Sequence, residues 1–255
     1  MISAYLQGGL GNYMFQIAAA EALALDLGTE AAFNFDTASQ VHTNIKKYQD
    51  NIFSKVKHTT NVTAHTNYYE TDFGYNEIKK QDGQMLIGYF QSEKYFKEYR
   101  KHICNLFCIP KSEIMAIYDQ YGSLYDKKTC SLHVRRGDYI KFSQHHPPLG
   151  PDYYNSAMTL TDSDNYLVFS DDIEWCESNI IGENITYITN THDYMDLIMM
   201  SLCDNNIIAN SSFSWWGAWL NNNVNKKVIA PKRWFGPAKH NINTNDIIPD
   251  KWMII

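Results

Sequence analysis

The chain has 255 residues and a formal net charge of −6, so it lacks the basic balance that a nucleic-acid footprint requires. No run approaches the roughly 20 consecutive apolar residues of a membrane span. The five cysteines (Cys104, Cys108, Cys130, Cys176 and Cys203) are an odd, scattered set that fits neither a disulfide framework nor a zinc site, which points to a soluble protein of a reducing compartment.

In chain order, a short strand over residues 2–6 runs into the turn QGGLGN. An apolar helix over 13–28 follows, closed by Gly28, and then a second strand over 31–35. This is a β–turn–α–β opening. From about 36 to 84 the chain is polar and irregular, rich in Asn, Lys, Thr and Tyr, and reads as loops and short helices. A strand returns over 84–90. Helical spacing over 92–107 has Ser92 as candidate N-cap, and another helix is expected over 111–121. The second half alternates more cleanly. Strands fall at CSLHVR, NYLVFS, ITYIT, NNIIAN and KKVIAP, and helices at PDYYNSAMTLT, DIEWCESNI, HDYMDLIMMSL and SFSWWGAWLN. Short apolar β runs separated by helices imply an α/β fold with parallel sheets covered on both faces. With the polar stretch 121–128 between the halves, the expectation is two Rossmann-like lobes facing a cleft, residues 1–125 and 126–255.

Ligand groups in such sheets come from loops at the carboxyl ends of strands. Those loops read QGGLGN, FQSEK, RRGDY, SDD, NTHDY and NSSFSWW. In the first, Gly9 and Gly11 serve either close backbone approach or a phosphate loop, and the full G-x-G-x-x-G pattern is absent. RRGDY is the stronger signal. Arg135 and Arg136 emerge from a buried strand that also carries His133, and guanidinium is the side chain that forks onto phosphate oxygens. The plainer alternative is that Asp138 simply neutralises an arginine. Ser170, Asp171 and Asp172 are either a helix cap or a charged reader. Ser211 and Ser212 open an aromatic helix, where a cap also leaves backbone N–H groups available to an anion. Together these loops describe a nucleotide pyrophosphate site.

The segments GGLGNYMFQIAAA, GYFQSEKYF, LHVRRGDY, VFSDDIEW, NSSFSWWGAWL and APKRWF run in this order from residue 8 to 235. As a set they resemble the alpha-1,2-fucosyltransferase family, whose H-x-R-R-x-D element is shared with a wider fucosyltransferase superfamily. The resemblance implies a GT-B fold and GDP-fucose as donor substrate, with no metal and no other cofactor. It also implies inverting transfer of L-fucose to the 2-hydroxyl of a terminal β-galactoside in a glycan. The membrane anchor of the animal enzymes is absent, and the chain opens on a strand instead of a charged and then apolar leader. A cytoplasmic bacterial or viral form without a signal peptide is therefore expected. Tyr13 and Met14 stand where Gln-Leu is common, on a helix face expected to border the acceptor. The base of the related core fucosyltransferases would fall near Phe142 and Ser143, which cannot serve, so the base stays open.

Charge grows on the β-phosphate as GDP leaves, so a fixed positive group there favours the transition state. Arg135 is the expected contact, with His133 on the same side of the strand. Arg136 points the other way, held by Asp138 or Asp172. The resemblance implies that Asp171 or Asp172 accepts from guanine, and that Ser211 and Ser212 with nearby amides hold the pyrophosphate. Ser170, Gly9 and Gly11 join that donor set. Asp162-Ser163-Asp164 is a D-x-D that precedes a strand, in a turn, and does not read as a metal site. On the acceptor side stand Asn12 and Gln16, with Tyr89, Gln91 and Ser92, and the loop 141–150 reads as a lid. Asp138 and the lid residues His145 and His146 are the candidate bases, although Asp138 is better suited to holding Arg136. Other readings are a different GDP-fucose-dependent transfer, peptide O-fucosylation included, or a non-catalytic glycan-binding protein. The aromatic content of 14% favours the last, but a lectin has no use for the double arginine.

Overall fold

The computed structural model describes residues 1–38 and 44–255, so part of the polar tract read as loops lies outside the described residues. The chain folds as two compact units, Met1–Pro110 with Asn243–Pro249, and Lys111–Ile242 with Asp250–Ile255. The helix at 111–121, assigned from sequence to the first lobe, belongs to the second unit. The late segment 243–249 belongs to the first, where Asp246 accepts from the Tyr75 amide at 2.8 Å and pairs with Lys94.

The first unit contains β1 (Ser3–Ala4), α1 (Leu10–Asp26), β2 (Thr66–Tyr69), β3 (Gln84–Ile87) and α2 (Arg100–Leu106). Its strands form a parallel sheet in the order β1-β3-β2. The strand expected over 31–35 amounts to two isolated parallel bridges, Ile2 with Ala31 and Phe33 with His58. α1 is buried almost all round, as its alanine-rich sequence allows. Tyr13 and Met14 are fully buried within it and do not border an open site. The helical spacing over 92–107 yields two 3-10 turns before α2, because buried Phe96 takes an extended φ of −145° between them. Ser92 does cap, accepting from the Lys94 amide at 3.3 Å. β2 escaped the sequence reading because it is an edge strand with one face covered, set in a polar tract.

The second unit runs through α3 (Lys111–Tyr121), β4 (Thr129–Val134), α4 (Gly137–Lys141), α5 (Pro151–Thr161), β5 (Asn165–Ser170), α6 (Ile173–Asn179) and β6 (Ile185–Tyr187). It continues with α7 (Asp193–Leu202), β7 (Asn205–Ile207), α8 (Ser212–Leu220), β8 (Val228–Ala230) and β9 (Met253–Ile254). All six strands are parallel, in the order β6-β5-β4-β7-β8-β9. Counted from β4, this is the 3-2-1-4-5-6 order of a doubly wound dinucleotide-binding sheet. The winding reverses between β4 and β7, and the crevice outside their carboxyl ends is where such sheets take ligands.

β4 is buried along its whole length and divides its side chains between two faces. Cys130, Leu132 and Val134 join Tyr154, Ala157, Val168 and Cys176 in one apolar core. Ser131 and His133 turn to the other face. There Asn206 Nδ2 donates to Ser131 Oγ at 2.7 Å and to the Met200 carbonyl at 2.8 Å, and Asn221 Nδ2 donates to Asn206 Oδ1 at 2.9 Å. Asn206 is fully buried, so its removal leaves several polar groups unpaired. Asn206→Ala should lower the unfolding free energy by about 2–3 kcal/mol in a denaturant titration. A loss below about 0.5 kcal/mol would show the network to be dispensable.

Candidate active site

A cluster of paired charges stands where the topology places a ligand. β4 ends at Val134, and Arg135 and Arg136 follow at its carboxyl end. Arg135 is forked between two carboxylates, with Nη2 2.6 Å from Asp138 Oδ1 and Nη1 3.1 Å from Asp171 Oδ2. Its guanidinium also lies over the Tyr139 ring. Burial works against its charge, but Asp171 and Asp138 outweigh that and raise its basicity. Arg136 donates from Nε to Asp172 Oδ2 at 2.9 Å and lies 4.0 Å above the Trp175 ring. Asp171 spans both arginines, because its Oδ1 also accepts from the Arg136 amide at 2.8 Å. This close approach requires Gly137, where a Cβ would sit 2.6 Å from Asp171 Oδ2.

β7 and α8 supply the other wall. Ser211 caps α8 by accepting from the Phe213 amide at 3.3 Å, and Ser212 begins the helix. Asn210, fully buried, donates to the carbonyls of Pro147 and Trp234 at 3.1 and 3.0 Å and leaves its Oδ1 without a partner. Tyr139 donates to the Asn210 carbonyl at 2.9 Å and stacks on His146, whose Nε2 lies 3.1 Å from Lys239 Nζ. Burial, then the Lys239 charge, pulls His146 down to about 4, and burial also lowers Lys239. His133 is buried against Phe213 with its Nδ1 unpartnered. Burial, reinforced by Arg135, pulls it down to about 3.

In the first unit the turn after β1 places Gly8 at φ +95°, a left-handed conformation that suits glycine, and Gly9 is the N-cap of α1. Gly11 is buried in the helix's first turn, where Asn12 Oδ1 accepts from Gln91 Nε2 at 2.8 Å. Gln16 is fully buried. It exchanges hydrogen bonds with the Gln7 backbone and donates to the Gly88 carbonyl at 3.0 Å, so it joins the ends of β1 and β3 and is not a surface contact.

The family model for glycosyl transferase family 11 matches residues 1–255. The chain belongs to glycosyl transferase family 11. The O-antigen biosynthesis glycosyltransferase WbnK of Escherichia coli is 32% identical, with 97% of this chain and 98% of that protein aligned. An alpha-1,2-colitosyltransferase of the same organism is 31% identical, with 100% and 99% aligned. Among solved structures, fucosyltransferase NodZ from Bradyrhizobium superposes with a TM-score of 0.58 at 10% identity, covering 85% of this chain and 90% of that one. That likeness is one of fold.

Seen as a family 11 site, the geometry revises several sequence expectations. Asp138 pairs with Arg135, not with Arg136, because α4 begins at Gly137 and turns its carboxylate back over the strand end. Asp172 holds Arg136 and also caps α6, accepting from the Trp175 amide at 3.3 Å. Asp171 and Asp172 each already accept from protein donors, and the remaining lone pairs of each carboxylate leave it able to accept a further hydrogen bond. Ser170 locks the same turn by accepting from the Asp172 amide at 2.9 Å. The loop over 141–150 is pinned, not free to act as a lid: the His145 carbonyl accepts from Gly236 N and the Gln144 carbonyl from Ala238 N, both at 2.9 Å. Sequence reasoning missed Tyr139, Asn210 and Lys239; the first two are polar residues within a few positions of the ends of β4 and β7, whereas Lys239 lies well beyond β8 and carries no such signal. Among the described residues no helix is long and apolar enough to cross a membrane, and no three His, Cys, Asp or Glu side chains are grouped to hold a metal ion.

His133 gives this site a pH signature. Its pKa in the folded chain lies below the ordinary imidazole value, so the unfolded chain binds the extra proton. The stability it confers is complete above about pH 6.5 and is lost as pH falls toward about 3. Imidazole NMR should find His133 neutral at about pH 5. Titration near 6.5 would show the ring to be solvated.

Proposed function

We propose that this chain transfers L-fucose from GDP-fucose, with inversion, to the 2-hydroxyl of a terminal β-galactoside in a glycan, its two units forming the lobes of a GT-B enzyme. The observation that carries the reading is Arg135 at the carboxyl end of the first strand of a 3-2-1-4-5-6 sheet, beside the winding reversal, in a family 11 chain. The acceptor oxygen attacks the anomeric carbon of fucose. The bond from that carbon to the β-phosphate oxygen breaks, GDP leaves with the electron pair, and the hydroxyl proton is released. Arg135 meets the charge that develops on the β-phosphate, exchanging an Asp138 oxygen for a phosphate oxygen. Asp171, Asp172 and Ser170 hold the two guanidinium groups in place. The Ser211–Ser212 start of α8 offers amides to the pyrophosphate, with His133 behind it. Asn12, with Gly9 and Gly11 shaping its turn, serves the acceptor.

No metal is required in this scheme, since Arg135, Arg136 and Lys239 supply the positive charge. The D-x-D at 162–164 precedes β5, at the amino edge of the sheet, where Asp162 pairs with Lys128. Asp138 is a positioning group for Arg135, and Lys239 occupies the single Nε2 lone pair of neutral His146, so neither is cast as a strong base. The alpha-1,2-colitosyltransferase relative favours a second reading in which the transferred sugar is colitose on the same acceptor position.

The test is transfer of labelled sugar from GDP-fucose and from GDP-colitose to a panel of β-galactosides, with GDP titration alongside. Arg135→Ala should lose about a hundredfold or more in turnover while keeping its fold, near 3 kcal/mol of transition-state stabilisation. Arg135→Lys should recover little, since ammonium cannot fork onto two oxygens. Near-wild-type turnover in Arg135→Ala would remove the residue from the chemistry. GDP release without any galactoside requirement would replace the transferase reading by a hydrolase.

A further inference from the structure

The first unit holds a carboxylate with no task so far. Glu70 follows β2 directly, and its oxygens are spread over two backbone donors, Tyr89 N at 2.6 Å and Phe90 N at 2.8 Å. Among the described residues no lysine, arginine or histidine pairs with it, and Asp72 is the nearby charge. The turn it grips needs holding. Gly88 passes so close that a Cβ there would overlap the Glu70 side chain. Phe90 takes φ +52°, a left-handed conformation that a bulky residue avoids unless its surroundings impose it. Its fully buried ring packs against Tyr68 and Tyr95, at 6.3 and 5.4 Å. One residue later, Gln91 donates to Asn12.

We propose that Glu70 is a positioning residue for the transfer reaction: by accepting from both amides it fixes the strained turn 88–90 and thereby sets Gln91 on Asn12. This rests on the reading of Asn12 as part of the acceptor side. The double grip belongs to the carboxylate form. A protonated carboxyl keeps one good acceptor and turns its other oxygen into a donor that faces an amide hydrogen.

Burial pushes Glu70 up to about 7, against the pull of the two amides, and Asp72 adds to the rise. The other titratable groups around it are the Tyr68, Tyr89 and Tyr95 hydroxyls, which burial pushes up and keeps neutral in that range. Between about 4.5 and about 7 the folded chain therefore holds a proton that the unfolded chain releases. The grip tightens as pH rises through about 7 and loosens below it.

Two measurements test this together. Amide hydrogen exchange at Tyr89 and Phe90, corrected for the intrinsic pH dependence, should show about tenfold greater protection at about pH 8 than at about pH 6. Acceptor kcat/KM should rise over the same interval while GDP affinity stays level. Glu70→Gln should flatten that rise and lower the value at about pH 8 by about tenfold, because its NH₂ faces an amide donor. Gln91→Ala, which leaves the grip itself intact, should keep the amide response and lose a similar factor in acceptor kcat/KM. Equal protection at both pH values would overturn the proposal, as would an unchanged activity profile in Glu70→Gln or full activity in Gln91→Ala. If no sugar transfer occurs with any donor, the functional reading fails, while the amide response still decides whether Glu70 grips the turn.

Discussion

Adjacent arginines at the edge of a buried parallel sheet need compensating carboxylates close by, and the second unit is arranged around meeting that need. Half-buried guanidinium groups lose hydration that only paired oxygens replace. Asp138 comes from the helix after β4, while Asp171 and Asp172 come from the neighbouring loop after β5. Because Asp171 spans Arg135 and the Arg136 amide, the loops of two neighbouring strands are locked to each other. Gly137 follows from that contact, since the position facing Asp171 has no room for a side chain. Tyr139, Asn210 and the pinned loop at 142–147 then hold the opposite wall at a fixed distance from the strand end.

The same compensation sets the electrostatics of the proposed reaction. Arg135 and Arg136 each already have a carboxylate, so a diphosphate meets compensated cations, reached through their remaining N–H donors or by exchange with one of these oxygens, and not an open positive trap. Lys239 differs: its neighbours are a neutral imidazole and the Phe235 ring, and among the described residues no carboxylate pairs with it. An anion entering the crevice meets one uncompensated cation and two paired ones. Such a site favours charge that grows during the reaction over charge already present, because the paired groups can transfer their hydrogen bonds as the leaving oxygen becomes more negative.

Much of this was legible in the chain. The β and α segments of the second half follow apolar runs and caps strong enough to place α5 at 151–161 and α8 from Ser212 within a residue or so. The loops at strand ends singled out Arg135, Asp171 and Asp172, which the structure brings together, and Ser211, which caps α8. Pairing was legible in part: Asp138 or Asp172 was expected on Arg136 and Asp172 takes it, whereas only the turn of α4 shows that Asp138 reaches Arg135. Asp171 and Asp172 read equally as a helix cap or a charged reader, because the Arg136 groups that they hold lie 35 and 36 positions away in sequence. Glu70 gave no signal at all, since its chemistry comes from two amides and a glycine of a loop nearly twenty residues later. β2 was hidden for the reason that edge strands generally are, having only one face to record in apolar residues.

A crystal structure of the protein with GDP measures the central claim most directly. The β-phosphate is predicted at hydrogen-bond distance from the Arg135 guanidinium, outside the carboxyl ends of β4 and β7, with at least one of the Asp138 and Asp171 contacts to Arg135 exchanged for phosphate. GDP bound elsewhere, or bound with both carboxylate contacts intact and no phosphate oxygen on Arg135, would contradict it.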